Sequence, residues 1–245
     1  MFSIAFLNEI RAAELREAAR FIPPRSRVLE IGGGTGLQAR LLQEMGHSVE
    51  CIDVPGSLYG QHRVFEVREF DGATIPFGAA EFDLVFSSNV LEHVIDLPRL
   101  LAETRRVLKP GGHCLHLMPS ASWRVWTIAT HYPNLPLLLW GLRAEPRDNP
   151  FPQIATRSWA HLLGRAIWPG RHGETGNMLS EIYLFGRHRW LREFRAAGFR
   201  PQTVQPIGLF YTSNMLLGAR LGLGPRRSLA RWAGSGSTLY FLTAN

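Results

Sequence analysis

Residues 28–36 read Val28-Leu-Glu-Ile-Gly-Gly-Gly-Thr-Gly36, and this stretch decides the fold. A short apolar run reaches a cluster of glycines and an amphipathic segment follows at once, which predicts a strand, a tight turn and a helix. The glycines at positions 32, 34 and 36 let the backbone turn sharply and let a ligand approach where a side chain would collide. The stretch therefore predicts a nucleotide-binding turn, with the first amides of the helix directed at the ligand.

The spacing of these glycines separates two kinds of ligand. The dinucleotide fingerprint is G-x-G-x-x-G, with a pyrophosphate on the helix N-terminus, whereas this turn reads G-x-G-x-G and has Leu37 where the last glycine would stand. Glu30 ends the predicted strand, and a carboxylate there would repel a pyrophosphate. S-adenosylmethionine carries an ammonium and a sulfonium and no phosphate, so the residues favour it over NAD.

Composition indicates one globular α/β domain with an insertion. Of the 245 residues, 45% are hydrophobic, which is enough for a sizeable core. The net charge of +7 comes almost entirely from arginine and permits contact with phosphates or anionic lipids, although an arginine-rich genome explains it equally well. Cys51 and Cys114 lie in apolar runs, which is typical of buried thiols in a reducing compartment. With no signal-peptide core and no uninterrupted membrane span in the sequence, we expect a cytoplasmic protein.

Three further segments are predicted to be strands. Two of them end near a carboxylate, and the third is expected at the centre of the sheet. Segment 48–54 contains Asp53 near its end, where a carboxylate accepts hydrogen bonds from both ribose hydroxyls; capping of the next turn is the alternative role. Segment 64–70 leads to Asp71, which we expect near the adenine amino group. Segment 82–87 is apolar and nearly continuous, as a central parallel strand is.

Helical spacing and proline or glycine stops place the remaining elements. Helices are predicted at 4–21, 37–45, 97–108, 159–167 and 187–197. Strands are predicted at 114–118, 199–206 and 237–243. Strands that alternate with helices in this way indicate an α/β fold with a mostly parallel sheet.

The motifs of the first half of the chain also stand in a specific order. They are the glycine turn, Asp53, Asp71 with Ile75-Pro-Phe77, Phe82-Asp-Leu-Val85, Leu91-Glu-His93 and Arg106-Val-Leu-Lys-Pro-Gly-Gly112. In this order and spacing, the chain resembles the class I S-adenosylmethionine-dependent methyltransferases of the type 11 group. The resemblance implies a Rossmann-like seven-stranded sheet in the order 3-2-1-4-5-7-6, with the last strand antiparallel and helices on both faces. It also implies which residues contact the cofactor. The methionine part would be held by Glu30, Gly32, Gly34 and Gly36, the ribose by Asp53 and the adenine by Asp71. The outer wall of the cofactor site would be formed by Ser87 or Ser88.

After the fifth predicted strand the pattern changes. Residues 119–186 are predicted to form a lid or substrate region inserted into a single domain that spans 1–245. Within it, 123–142 is aromatic and apolar but is cut by charged residues and prolines, which excludes a simple spanning helix. This segment is either a lid over the site or lies in a membrane interface, which would place the protein at the inner face of the membrane. Segment 209–232 interleaves leucines with arginines and is either a second membrane contact or an ordinary amphipathic hairpin.

Histidines are the candidate catalytic residues. Methyl transfer from a sulfonium is an in-line displacement, and alignment in a dry pocket removes most of its barrier. A hydroxyl acceptor also benefits from a general base, for which the candidates are His93, His131 and His172. His93 belongs to the Leu-Glu-His pattern, where orienting the loop is the alternative role. The polar groups in 172–174 and 180–183 precede the late helix, a region that faces the cofactor mouth in this fold.

A second resemblance bears on the acceptor. Segments 122–133 and 172–190 are similar to bacterial surface-polysaccharide methyltransferases, which implies O-methylation of a small-molecule or glycan hydroxyl, free or lipid-linked. No metal site is expected, because no cysteine or histidine cluster has zinc-like spacing. Nucleic acid is a disfavoured partner, because Ser-Ser-Asn-Val follows the fourth strand in place of Asn-Pro-Pro-Tyr and no RNA module is present. Three alternatives stay open: another small-molecule acceptor, a non-catalytic cofactor-binding protein at the membrane, and an NAD-dependent oxidoreductase.

Overall fold

The structure is a computed structural model that describes residues 4–57, 59–141, 170–213 and 217–244, and for 134–141 it describes the backbone alone. The strands are β1 Arg27–Ile31, β2 Ser48–Asp53, β3 Arg68–Glu69, β4 Phe82–Ser88, β5 Leu108–Pro119, β6 Phe199–Pro206 and β7 Ser237–Ala244. The helices are α1 Ile4–Ala18, α2 Leu37–Glu44, α3 Leu97–Val107, α4 Ala121–Gly141, α5 Ser180–Leu184, α6 Arg187–Ala196 and α7 Leu223–Ala233.

The strands form one seven-stranded sheet in the order β3-β2-β1-β4-β5-β7-β6. Strands β1 to β5 pair in parallel, and β7 pairs antiparallel with both β5 and β6. Parallel neighbours need crossover connections, which α2 supplies between β1 and β2 and α3 between β4 and β5. The predicted fold class, strand order and antiparallel last strand are confirmed.

Side chains of β4 alternate between two cores. Leu84 and Phe86 pack with residues of α1 and α2 on one face of the sheet. Val85 packs with residues of α3 and α6 on the other face. Helices cover both faces of the sheet, so side chains on both faces of β4 are buried. This explains why the sequence of β4 is nearly continuously apolar.

The third strand is shorter than predicted. Only Arg68–Glu69 of the predicted segment 64–70 pairs with β2. The preceding residues fold over the glycine turn instead, where the Val64 N–H donates to the carbonyl oxygen of Thr35 at 2.8 Å. A tertiary contact has replaced the strand pairing that local sequence favoured.

Helix α4 is longer than the sequence suggested. It continues through Pro133 and Pro136, where the sequence predicts interruptions. Trp123 in its first turn is buried in the α1 and α2 core. Among the described residues, no helix combines the length and the hydropathy needed to cross a membrane. The predicted helix at 159–167 and the middle of the predicted insertion 119–186 lie outside the described residues.

Candidate functional site

The glycine turn lies at the carboxyl edge of the sheet and is tied to β2. The N–H groups of Gly32 and Gly33 both donate to the carbonyl oxygen of Ile52, at 2.8 and 3.1 Å. Gly32 has φ +74°, and a Cβ on it would lie 2.3 Å from Cγ2 of Val90. Position 32 therefore has to be glycine for the residues after β4 to pack against this turn.

The rest of the turn is covered by the segment that follows β2. Gly34 and Gly36 also have positive φ angles, of +54° and +73°. A Cβ on Gly36 would lie 2.7 Å from Cβ of Phe65, and one on Gly34 would lie 3.5 Å from the Tyr59 ring. Tyr59 and Phe65 are not distinguished by the sequence, because the segment that carries them has no distinctive pattern.

Asp53 ends β2 beside the glycine turn, as predicted. Its side chain is buried, and Oδ2 accepts a hydrogen bond of 3.0 Å from the Gly34 N–H. Oδ1 accepts a hydrogen bond of 2.8 Å from the Val54 N–H. The carboxylate therefore shapes the turn itself, and its role toward the ribose stays a prediction.

Glu30 is a buried carboxyl at the end of β1. Burial raises its pKa from 4.5 to about 8. Its neighbour is the Cys51 thiol, which donates to Oε2 at 3.5 Å. A buried carboxyl whose ionisation is disfavoured is the group that a nearby cation would stabilise, so the residues here fit the cationic methionine part of S-adenosylmethionine.

The remaining residues assigned to the cofactor differ in exposure. Asp71 is exposed, and its Oδ1 accepts from the N–H groups of Ala73 and Thr74 at 2.8 and 2.6 Å, which lowers its pKa. Ser87 is completely buried on β4, with Oγ 2.8 Å from Nδ1 of His116 on β5, which leaves it no exposed surface for the outer wall. Ser88 is partly exposed and keeps that assignment as a prediction.

Two of the three candidate histidines come together, although they are 79 positions apart in the sequence. His93 ends a short 3-10 turn, Leu91–His93, and His172 lies before α5. Their ring centroids are 4.8 Å apart, and each Nε2 lies 3.9 Å from Oε1 of Glu92. Burial lowers the pKa of both imidazoles, to about 3 for His172, so both rings are neutral proton acceptors at neutral pH.

The third candidate, His131, lies elsewhere. It is on α4, and only 9% of it is exposed. Its ring meets that of Tyr132 edge to face at 5.3 Å between centroids. It is not part of the group that Glu92, His93 and His172 form.

Glu92 is a candidate site residue that the sequence pattern alone does not single out. Only 7% of it is exposed, and among the described residues neither carboxylate oxygen has a hydrogen-bond partner. Burial raises its pKa to about 8. It borders a cavity of about 150 Å³ whose wall includes Val94, Gly173 and Phe185. The one sequence feature that points to Glu92 is its place inside the Leu-Glu-His pattern, in which only the histidine is a candidate catalytic residue.

A buried ion pair positions His172. Nε of Arg124 lies 2.9 Å from Oε2 of Glu181, and both side chains are at most 2% exposed. The other oxygen of Glu181 accepts from the N–H groups of His172 and Gly173, both at 2.7 Å. Nη2 of Arg124 donates to the Gly170 carbonyl oxygen at 2.8 Å. The loop that carries His172 is thus fixed to α4 and α5.

Comparisons with known proteins give a family and several relatives. Residues 5–204 match a family model described as a methyltransferase domain. Over 115 residues the chain is 30% identical to the biotin biosynthesis bifunctional protein BioHC of Cellvibrio japonicus, which covers 45% of this chain and 23% of that protein. Over 93 residues it is 36% identical to a malonyl-[acyl-carrier protein] O-methyltransferase of Serratia marcescens, which covers 36% of each. The matches thus span well under half of these curated relatives.

The fold is also found among solved structures. The crystal structure of an S-adenosylmethionine-dependent methyltransferase from Mesorhizobium loti matches with a TM-score of 0.54 and 19% sequence identity. The match covers 94% of this chain and 97% of that one. At this identity the likeness concerns the fold alone.

Proposed function

The chain belongs to the methyltransferase-domain family, and from that premise we propose that it O-methylates a sugar or another small hydroxylated acceptor, free or lipid-linked. The family resemblance found in the sequence is confirmed, and S-adenosylmethionine is the cofactor of this fold. When bound, the cofactor supplies a methyl group on a sulfonium. The chain itself has to align the acceptor, exclude water and accept the proton of the hydroxyl.

One observation carries the proposal of a hydroxyl acceptor. His93 and His172 offer two neutral imidazoles whose ring nitrogens lie within 4.8 Å of each other and of the Glu92 carboxyl. Glu92 and His93 closely follow Val90, which packs directly against Gly32 of the glycine turn. A hydroxyl acceptor has to lose its proton during methylation, whereas a carboxylate acceptor has none to lose. Proton-accepting groups beside the cofactor turn therefore favour a hydroxyl.

Exposed apolar side chains near these residues support an acceptor with an apolar part. Ile95 follows the Leu91–His93 turn and is 87% exposed. Leu179 and Tyr183 flank Glu181, which holds the His172 loop, and they are 57% and 59% exposed. Large exposed apolar side chains beside a reactive group are typical of a binding surface for a partly apolar ligand.

We also propose a peripheral membrane contact that includes parts of 123–142 and 209–232. Nε1 of Trp126 on α4 donates to the carbonyl oxygen of Ala233 at the end of α7, at 2.8 Å, so the two stretches are adjacent. Trp232 is 92% exposed and follows the exposed Arg231. Exposed tryptophan next to arginine is favoured at a lipid headgroup surface.

A second candidate function is methylation of a carboxyl group on a carrier-bound acyl chain. The relative from Serratia marcescens, named as a malonyl-[acyl-carrier protein] O-methyltransferase, favours it through 36% identity over 93 residues. This reaction would give a methyl ester, whereas methylation of a hydroxyl would give a methyl ether.

The decisive experiment uses methyl-labelled cofactor and the purified chain with fractions of glycans, lipid-linked sugars and acyl-carrier proteins. Label that survives mild alkali and is recovered on the oxygen of a hydrolysed sugar or other hydroxylated product would support an ether on a hydroxyl acceptor. Label released by alkali would overturn the hydroxyl proposal in favour of the ester. Cofactor binding by calorimetry without transfer to any fraction would overturn both and support a non-catalytic protein. Tight binding of NAD in place of S-adenosylmethionine would overturn the cofactor assignment.

A further inference from the structure

We propose that Glu92, His93 and His172 bind a divalent transition-metal ion. In the part of the chain that the structure describes, one ligand atom from each of these residues lies within 4.8 Å of the other two. Binding of the ion does not depend on the proposed function. Its role, which is to hold the acceptor oxygen, rests on the proposed function. The sequence predicts no metal site, because zinc-like motifs have short spacings and His172 is far from His93 in the sequence.

The two distances from Glu92 suit one ion between the three side chains, and all three ligand atoms lie within 4.8 Å of one another. Oε1 of Glu92 lies 3.9 Å from Nε2 of His93 and 3.9 Å from Nε2 of His172. With zinc-ligand bonds of about 2.1 Å, two ligands lie about 3.4 Å apart in a tetrahedral site and at most about 4.2 Å apart on opposite sides of the ion. Small rotations of the imidazoles would complete the coordination.

The state of the Glu92 carboxylate is an independent observation that indicates a missing ligand. The residue is 93% buried, and among the described residues both of its oxygens lack hydrogen-bond partners. A buried polar group without a partner is costly and rare in folded proteins. A cation bound at Oε1 would remove this cost.

The surrounding arginines do not fill that role. Three of them act electrostatically on Glu92 or His172, and each is paired with another carboxylate: Arg11 with Glu14 at 2.6 Å, Arg124 with Glu181 at 2.9 Å and Arg189 with Glu193 at 3.9 Å. Glu174 acts on His93 as a further negative charge. The Glu92 carboxylate is therefore still able to bind a cation from solution.

The three ligand side chains predict which ion binds and what the ion does. Two imidazoles and one carboxylate bind Zn²⁺ or Fe²⁺ and leave coordination positions open for water or substrate. The His93 side chain is 40% exposed, so an ion and an acceptor oxygen can reach the site from solvent. In the ion-bound form the imidazoles would hold the ion instead of accepting the proton. The ion would orient the acceptor hydroxyl and lower its pKa, so that the proton would pass to water at the exposed side of the site.

The test is metal binding by the full, untagged chain after treatment with a chelator. ZnCl₂ is titrated by calorimetry, and CoCl₂ by the visible absorption of the bound ion. We expect one ion per chain, with affinity at least tenfold lower in Glu92→Gln, His93→Ala and His172→Ala. The control is His188→Ala, an exposed histidine on α6, which should bind like the wild type. Thermal unfolding identifies any variant that fails to fold, and His93→Ala at the exposed edge of the cluster then carries the test.

Two results would overturn the proposal: equal affinity in the wild type and Glu92→Gln, or affinity in the wild type no higher than in His93→Ala. The outcome is separate from that of the proposed function. Full methyl transfer in the presence of chelator, without ion binding, would refute the metal site alone. Tight ion binding without methyl transfer to any acceptor would refute the proposed function alone.

Discussion

The carboxylate of Glu181 accepts a hydrogen bond of 2.7 Å from the main-chain N–H of His172, so a buried acid on α5 holds a site histidine through its backbone. The same carboxylate pairs with Arg124, which is 2% exposed. Removing one member of a buried pair leaves the other charge uncompensated, which typically costs about 3–5 kcal/mol. We expect Glu181→Ala to lower the free energy of unfolding by this amount, measured by urea denaturation.

The control for this variant is an exposed pair. Arg40 and Glu44 are 3.0 Å apart with both side chains more than half exposed, so Glu44→Ala should change stability by less than about 1 kcal/mol. Equal losses in the two variants would contradict the structural role of Glu181.

Gly32→Ala should impair both stability and cofactor binding. Its Cβ would lie 2.3 Å from Val90 and would displace the residues that lead to the histidine cluster. Gly46→Ala is the matched control, because Gly46 also has a positive φ, +92°, but nothing lies within 4 Å of its added Cβ. We expect the control to lose only the cost of a left-handed residue, about 1–2 kcal/mol, and to bind S-adenosylmethionine normally by calorimetry. Normal binding by Gly32→Ala would refute this account.

Asp53→Ala should weaken binding of S-adenosylmethionine by roughly 1–3 kcal/mol, because a buried ribose would lose its acceptor and the Gly34 amide would lose its 3.0 Å partner. Calorimetry at one pH and salt concentration measures the loss. Asp96→Ala is the control, since Asp96 caps α3 and lies outside the cofactor turn. Unchanged affinity in Asp53→Ala would show that the ribose assignment is wrong.

Glu30 should make stability depend on pH. Its pKa is raised from 4.5 to about 8 by burial, so folding favours the protonated form. The stabilisation is complete below pH 4.5 and is lost as the pH rises toward about 8. Glu30→Gln removes this ionisation, so its unfolding free energy should fall less over that range than that of the wild type or of Glu66→Gln, an exposed control. Parallel pH profiles for all three proteins would contradict the burial of an ionisable group at position 30.

Trp232→Glu should reduce binding to vesicles that contain anionic lipid. Trp232 is 92% exposed, and an added carboxylate would remove its apolar contact and repel the lipid phosphates. Flotation at several salt concentrations measures the effect. Met45→Glu, at a residue 42% exposed beyond the end of α2, is the control. A wild-type chain that does not float under any of these conditions would exclude the membrane contact.

Predictions from the sequence succeeded where a local pattern decides the structure. The glycine turn after β1 and the central position of β4 were predicted correctly, because glycine at positive φ and a strand buried on both faces each leave a direct trace in the sequence. The sequence left Ser87 and Ser88 as alternatives for the converse reason. Neighbouring residues of a strand point to opposite faces, and only the packing of α6 and β5 decides that Ser87 is the one enclosed.

The sequence by itself determined the family, the order of the strands and the carboxyl edge at which Glu30 and Asp53 lie, because the motifs behind them are short and continuous. Only the tertiary structure decided that His93 and His172 share Glu92 as a neighbour and that His131 does not. The reason is physical: the Arg124–Glu181 ion pair brings a distant loop to the end of β4, and short sequence spacings contain no information about such a contact.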